Sequence, residues 1–153
     1  MNKTLFHLAF PITDIAQAKA FYVDGLGCTA GRETHQALIL NLYGHQLVGH
    51  ITKEPLSPQR GIYPRHFGLI FASESDWESV LERAQQQQLQ FREEAKHRFP
   101  GLPTEHRTFF LEDPFYNLIE FKYYRYAEEA IFGSREYAQI GDSPKETRLR
   151  VPT

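Results

Sequence analysis

The amino-acid sequence predicts an α+β fold made of two similar halves, and three observations carry that prediction. Each half opens on a short apolar segment suited to a strand, Leu5–Phe10 (LFHLAF) and Arg65–Phe71 (RHFGLIF). Each segment is followed by an amphipathic helix with an N-capping signal. His7 and His66 then fall at matching places, giving a repeat of about 59 residues.

The elements follow in order. The first strand meets Pro11, which cannot donate to a ladder. Asp14 caps a helix with Gln17 three residues on, and Ile15, Ala18, Phe21 and Tyr22 recur at helical spacing. Gly25 and Gly27 end it. Ala37–Leu42 and Gln46–Ile51 read as strands around a turn at Tyr43-Gly44-His45, and residues 53–64, with Pro55, Pro58, Gly61 and Pro64, as a linker. In the second half Ser75 and Glu78 read as a capping box for a helix through Trp77, Val80, Leu81 and Ala84 into Gln85–Gln88. Residues 91–95 read as a strand, Arg98–Arg107 as a loop, and Thr108–Leu111 and Leu118–Tyr123 as strands around Asp113-Pro114. The organisation is thus a first module at 1–58, a second at 59–125, and a charged tail at 126–153. That tail carries a short helix at Tyr126–Phe132 and a loose final dozen residues.

Composition narrows the function. The 153 residues are 41% hydrophobic, enough for one core. A net charge of −2 without a basic stripe argues against nucleic acid as a partner. Cys28, the single cysteine, excludes an intrachain disulfide and a Cys-based zinc site, and suits a reducing cytosol. No run approaches the ~20 apolar residues of a membrane span, and the first ten residues lack a signal-peptide core. The expectation is a cytoplasmic protein acting on a small molecule. Seven histidines point towards metal or acid–base chemistry.

Strand side chains alternate between faces, so the histidines can be sorted. Phe6, Leu8 and Phe10 share one face, and Leu5, His7 and Ala9 the other. Phe67, Leu69 and Phe71 oppose His66, Gly68 and Ile70; Ile119, Phe121 and Tyr123 oppose Leu118, Glu120 and Lys122. Leu47 and Ile51 oppose Gln46, Val48 and His50. If the lighter faces line a shared trough, His7, His66 and Glu120 converge from three strands. Two imidazoles and one carboxylate on one side of an ion leave other positions open for substrate. Taken singly, each residue is as well explained as a hydrogen-bonded edge histidine or a solvated glutamate. Joint occurrence on one face, at repeat spacing, favours a metal site.

At these residues the chain resembles the vicinal oxygen chelate superfamily, which includes glyoxalase I, bleomycin-resistance proteins, fosfomycin-resistance enzymes and extradiol dioxygenases. The matching stretches are HLAFPITDIAQAKAFYVDGLGC, RHFGLIF and FLEDPFYNLIEFK, within residues 4 to 123. The resemblance implies two βαβββ modules forming an open, cup-shaped mixed-sheet barrel around a divalent metal on His7, His66 and Glu120. It looks closest to small stand-alone relatives of extradiol dioxygenases. That implies Fe(II), with Mn, Zn or Ni as alternatives, a catechol-type substrate, and a homodimer left open. His50 is the candidate acid–base group or fourth ligand, and His45, at a turn, the second catalytic candidate. His97 and His106 lie on the loop where the family often places another acid–base group. Two departures stand out. The last strand of the first module, QLVGHI, lacks the extra carboxylate usual in glyoxalase I, and Phe110 stands where the dioxygenase branch tends to carry a tyrosine. The alternatives are therefore an isomerase, lyase or thiol transferase on the same fold, or a metal-free small-molecule-binding module.

Overall fold

The computed structural model describes residues 4–133 and 139–141. Two four-stranded mixed sheets form the frame. In the first, β1 (His7–Ile12) runs parallel to β4 (His45–Ile51), followed outward by β3 (Ala37–Leu42) and β2 (Thr29–Glu33), both paired antiparallel. The second repeats the pattern: β5 (Phe67–Phe71) lies parallel to β8 (Leu118–Tyr124), then β7 (His106–Glu112) and β6 (Phe91–Arg98). Each half is a βαβββ module, and each sheet is open rather than closed into a barrel. The first helix, α1 (Ile15–Lys19), continues as a π-helical stretch through Gly25. The second, α2, spans Glu74–Gln86, and a short α3 spans Ala127–Ala130.

Local chemistry explains the elements and most of four departures. Asp14 caps α1 as expected, its Oδ1 accepting the Gln17 N–H at 2.7 Å. The cap of α2 is Ser73, not Ser75: its Oγ accepts the Asp76 N–H at 3.2 Å, which leaves Ser75 inside the first turn. Strand β2, implied by the βαβββ resemblance, is not legible in the residue pattern, because all five of its residues are exposed on a sheet edge and show no apolar alternation. Strand β6 extends past residue 95 to Arg98, and register shifts at Glu93 blur the period of two that would reveal it. In the tail, α3 is shorter than the expected Tyr126–Phe132 helix. The final dozen residues lie outside the described part. Among the described residues no helix is long and apolar enough to cross a membrane.

The apolar faces of both sheets meet their helices in one core that runs across both modules. Phe10 on β1 stacks on Phe67 on β5 with ring centroids 5.8 Å apart, and fully buried Trp77 donates its indole N–H to the Phe121 carbonyl at 2.8 Å. Asp113 ties the modules together. Its Oδ1 accepts the Phe115 and Asn117 backbone N–H groups, both at 2.8 Å, and its Oδ2 accepts the Tyr22 hydroxyl at 2.6 Å. Asn117 donates its amide to Asp113 Oδ2 at 2.7 Å and to the Pro11 carbonyl at 3.1 Å. The Asp-Pro-x-x-Asn sequence is therefore a turn lock and an inter-module clasp. It fixes the β7–β8 hairpin, and with it the register of β8.

Candidate metal centre

His66 and Glu120 come together on the face of the second sheet turned away from the core. Gly68 makes this possible. It pairs with Glu120 across β5 and β8, and a Cβ there would run into the Glu120 backbone carbonyl. His66 Nε2 lies 3.3 Å from Glu120 Oε1. The His66 Nδ1–H donates to the Ile62 carbonyl at 2.8 Å, which fixes the ring so that Nε2 faces the carboxylate. Glu120 is 5% exposed, and its other oxygen accepts the buried Thr108 hydroxyl at 2.5 Å. Lys122 Nζ stands 3.7 Å from Glu120 Oε1, and Phe110 packs edge-on against the His66 ring with centroids 4.9 Å apart.

The electrostatics follow from this packing. Burial alone raises the Glu120 pKa, but the hydrogen bond from His66, the Lys122 charge and the Thr108 hydroxyl outweigh it and bring the group to about 2. The hydrogen bond to Glu120 raises His66 above 6.5, against the opposing effect of burial and with help from the Ile62 carbonyl. The pair thus holds a proton between a nitrogen and an oxygen donor. An ion bound at about 2.0–2.2 Å to each of two donors keeps them roughly 3.0–3.4 Å apart, so the observed 3.3 Å spacing fits a divalent cation in place of that proton.

The other expected site residues are placed differently. His7 is exposed on β1, on the side opposite Phe10, and its Nδ1–H donates to Gln46 Oε1 at 2.7 Å, leaving Nε2 facing outward. Within one chain it does not join His66 and Glu120: among the described residues no group of three or more His, Cys, Asp or Glu is placed to hold an ion. The physical reason is that the modules pack through their apolar faces, which turns both ligand-bearing faces outward. His50 shares the outer face of His7 but pairs with Pro11, four residues along β4 from Gln46, about 13 Å at strand spacing. It is too far away to be a fourth ligand beside His7. His45 Nδ1 accepts the Phe6 N–H at 3.1 Å, a backbone role at the strand edge.

Of the two histidines expected on the loop, His97 instead lies in β6, where its Nε2 pairs with Glu105 Oε2 at 3.3 Å. His106, expected on the same loop, instead opens β7 and is 6% exposed. It lines the same cavity as His66 and Glu120 and donates Nδ1–H to the Thr104 carbonyl at 2.9 Å. Burial lowers its pKa, keeping it neutral. Period-two parity from Glu120 across the β7–β8 pairing would have found it, had β7 been started two residues earlier.

The sequence model of the glyoxalase/bleomycin resistance protein/dioxygenase superfamily matches residues 4–121. The chain belongs to this superfamily. Its fold matches the crystal structure of a glyoxalase/bleomycin resistance protein/dioxygenase from Alicyclobacillus acidocaldarius, with 40% identity, a TM-score of 0.76, and coverage of 80% of this chain and 92% of that one. The fosfomycin resistance protein FosX from Listeria monocytogenes shares the fold at 16% identity and a TM-score of 0.59, covering 80% of this chain and 94% of that one. An integron cassette protein from V. cholerae does so at 22% identity and a TM-score of 0.56, covering 81% and 97%. No curated protein matches the chain. As a vicinal oxygen chelate protein, the chain belongs to a superfamily whose members bind divalent metals.

Proposed function

We propose that the protein is a metal-dependent enzyme that holds a divalent ion on His66 and Glu120, with His7 of a second copy as the third ligand, and acts on a small oxygen-bearing substrate. The observation that carries this reading is the His66–Glu120 pair: a tautomer-fixed imidazole and a buried carboxylate at ligand spacing, with a backbone carbonyl and a hydroxyl orienting them. His7 supports the second half of it. Its Gln46 contact fixes the same tautomer, and its free Nε2 points away from its own core. A homodimer that sets the outer face of one first module against the outer face of another second module completes the set.

When bound, the ion supplies Lewis-acid polarisation of a substrate oxygen. The chain's own groups do the rest. Phe110 excludes water beside His66, Thr108 holds Glu120 in its acceptor role, and neutral His106 is a candidate proton acceptor in the same cavity. An isomerase, lyase or transferase reaction fits these groups best. The two-histidine, one-carboxylate set also favours a second reading, an Fe(II) extradiol dioxygenase acting on a catechol. Phe110 weighs against it, because it offers no hydrogen-bond donor beside the ion.

The test is complementation. His7→Ala and Glu120→Ala proteins, each alone, bind no stoichiometric Mn(II) or Fe(II). Mixed and allowed to exchange subunits, they regain one site per mixed dimer. Failure to regain it removes the shared site, and a wild type that binds neither ion removes the enzyme reading. Oxygen uptake by the Fe(II) form with a catechol panel decides between the two reactions.

A further inference from the structure

The tail lies outside the family's matched region, yet it walls the cavity over the metal pair. That cavity, about 370 Å³, is floored by His66, Phe110, Glu120 and Lys122 and roofed by residues 130–133 and 139–141. The roof is seated closely. A Cβ at Gly141, whose φ is +64°, would run into the Tyr63 hydroxyl, and Thr104 donates its hydroxyl to Gln139 Oε1 at 3.0 Å. Thr104 and Gln139 are 8% and 9% exposed. Because Thr104 occupies Oε1, the Gln139 amide nitrogen is committed as a donor, and it is buried with no hydrogen-bond partner among the described residues. A buried amide N–H₂ left unmet is costly unless something else meets it.

Charge says what would meet it. Lys122 has Glu120 as its neighbouring carboxylate at 3.7 Å, and Arg98, also on the cavity wall, faces Glu93 at 3.7 Å. Among the described lining residues, once Glu120 is committed to a divalent ion the balance of charge is positive, and none of them is left as a counterion for the Lys122 ammonium. We infer that Gln139 is a specificity-determining residue: its amide nitrogen, together with the Lys122 ammonium, binds the oxyanion end of a small carboxylate or phosphate-bearing substrate. The inference rests on the ion-binding reading of His66 and Glu120, and extends it by naming the substrate class and assigning the tail a role in recognition.

The experiment titrates inorganic phosphate and benzoate, with neutral benzamide as control, into the full-length protein in Mn(II)-loaded and metal-free forms. Gln139→Leu and Gln139→Glu are compared with wild type, with Mn(II) affinity and Tm measured alongside. At least one anion binds the loaded wild type and benzamide does not; the stronger of phosphate and benzoate identifies the oxyanion. Losing one charge-assisted hydrogen bond weakens that anion about 10-fold in Gln139→Leu, and more in Gln139→Glu, while Mn(II) affinity stays within about threefold. Loaded wild type that binds neither anion overturns the inference. So does a pair of variants with lowered Tm and unchanged anion affinity, which makes Gln139 structural only. Wild type that binds no Mn(II) overturns the metal reading instead. Anion binding by the metal-free protein, lost on either Gln139 substitution, then still supports the tail's role, and its absence overturns that role too.

Discussion

The outer faces of the two modules share one topology and have opposite characters. On the second, His66 and Glu120 are set among Thr108, Phe110, Lys122 and His106 under a roof of tail residues. On the first, His7 stands exposed with Gln46 as its partner, and no carboxylate stands in β4. One face has invested its burial in holding a charged pair; the other presents a single oriented imidazole. In the proposed shared site the repeated fold would contribute two unequal parts, with ligand geometry set mainly by the half that is dry. In a low-dielectric pocket each hydrogen bond to Glu120 has more effect than the same bond would have beside exposed His7.

Substitutions can sharpen or break that contrast. The largest expected effect is Glu120→Ala, which lowers Mn(II) affinity by more than about 100-fold, beyond the range of groups that merely orient ligands; calorimetric titration reads it. Gly68→Ala comes next. It forces β5 away from the Glu120 carbonyl, costs about 2 kcal/mol of stability in urea unfolding as an overpacked site does, and weakens metal binding as well. Thr108→Val removes the hydroxyl that holds Glu120 and weakens Mn(II) about 10-fold, whereas Gln46→Leu, on the wet face, changes it by about threefold or less. Equal effects from these two would erase the contrast between dry and wet halves.

The smallest effect is a pH dependence in the metal-free protein. Glu120 has a folded pKa of about 2, below its ordinary 4.5. The stability it contributes is therefore present above about pH 4.5 and drains away as pH falls towards 2. His66 is raised, so its contribution is present below 6.5 and lost as pH rises through its folded pKa. Thermal melts between these limits should show wild type losing stability towards acid more steeply than Glu120→Gln. Parallel curves would mean that the pair is not coupled.

The sequence was informative where period-two alternation and capping chemistry act locally. The faces assigned to His7, His66, His50 and Glu120 follow from alternation alone, and the structure keeps those faces. What alternation lacks is the relation between sheets. His7 lies apart from the other two because the modules bury their apolar faces against each other, a long-range outcome that no local pattern encodes. His106 was read as a loop residue because Pro103 and Gly101 close by suggested irregular chain up to residue 107. Gln139 carried no signal at all: its role depends on Thr104, 35 residues away in sequence.

The Asp113 clasp also bears on how the chain could be divided. Its carboxylate takes the Tyr22 phenol from the other module, and Asn117 reaches back to Pro11. A cut within the 53–64 connection would leave each fragment with a polar group designed to be met by the other and an apolar face in need of cover. Such fragments are suited to reassemble from separate polypeptides, and the amount of intact His66–Glu120 geometry recovered would report their docking from the far side of the core.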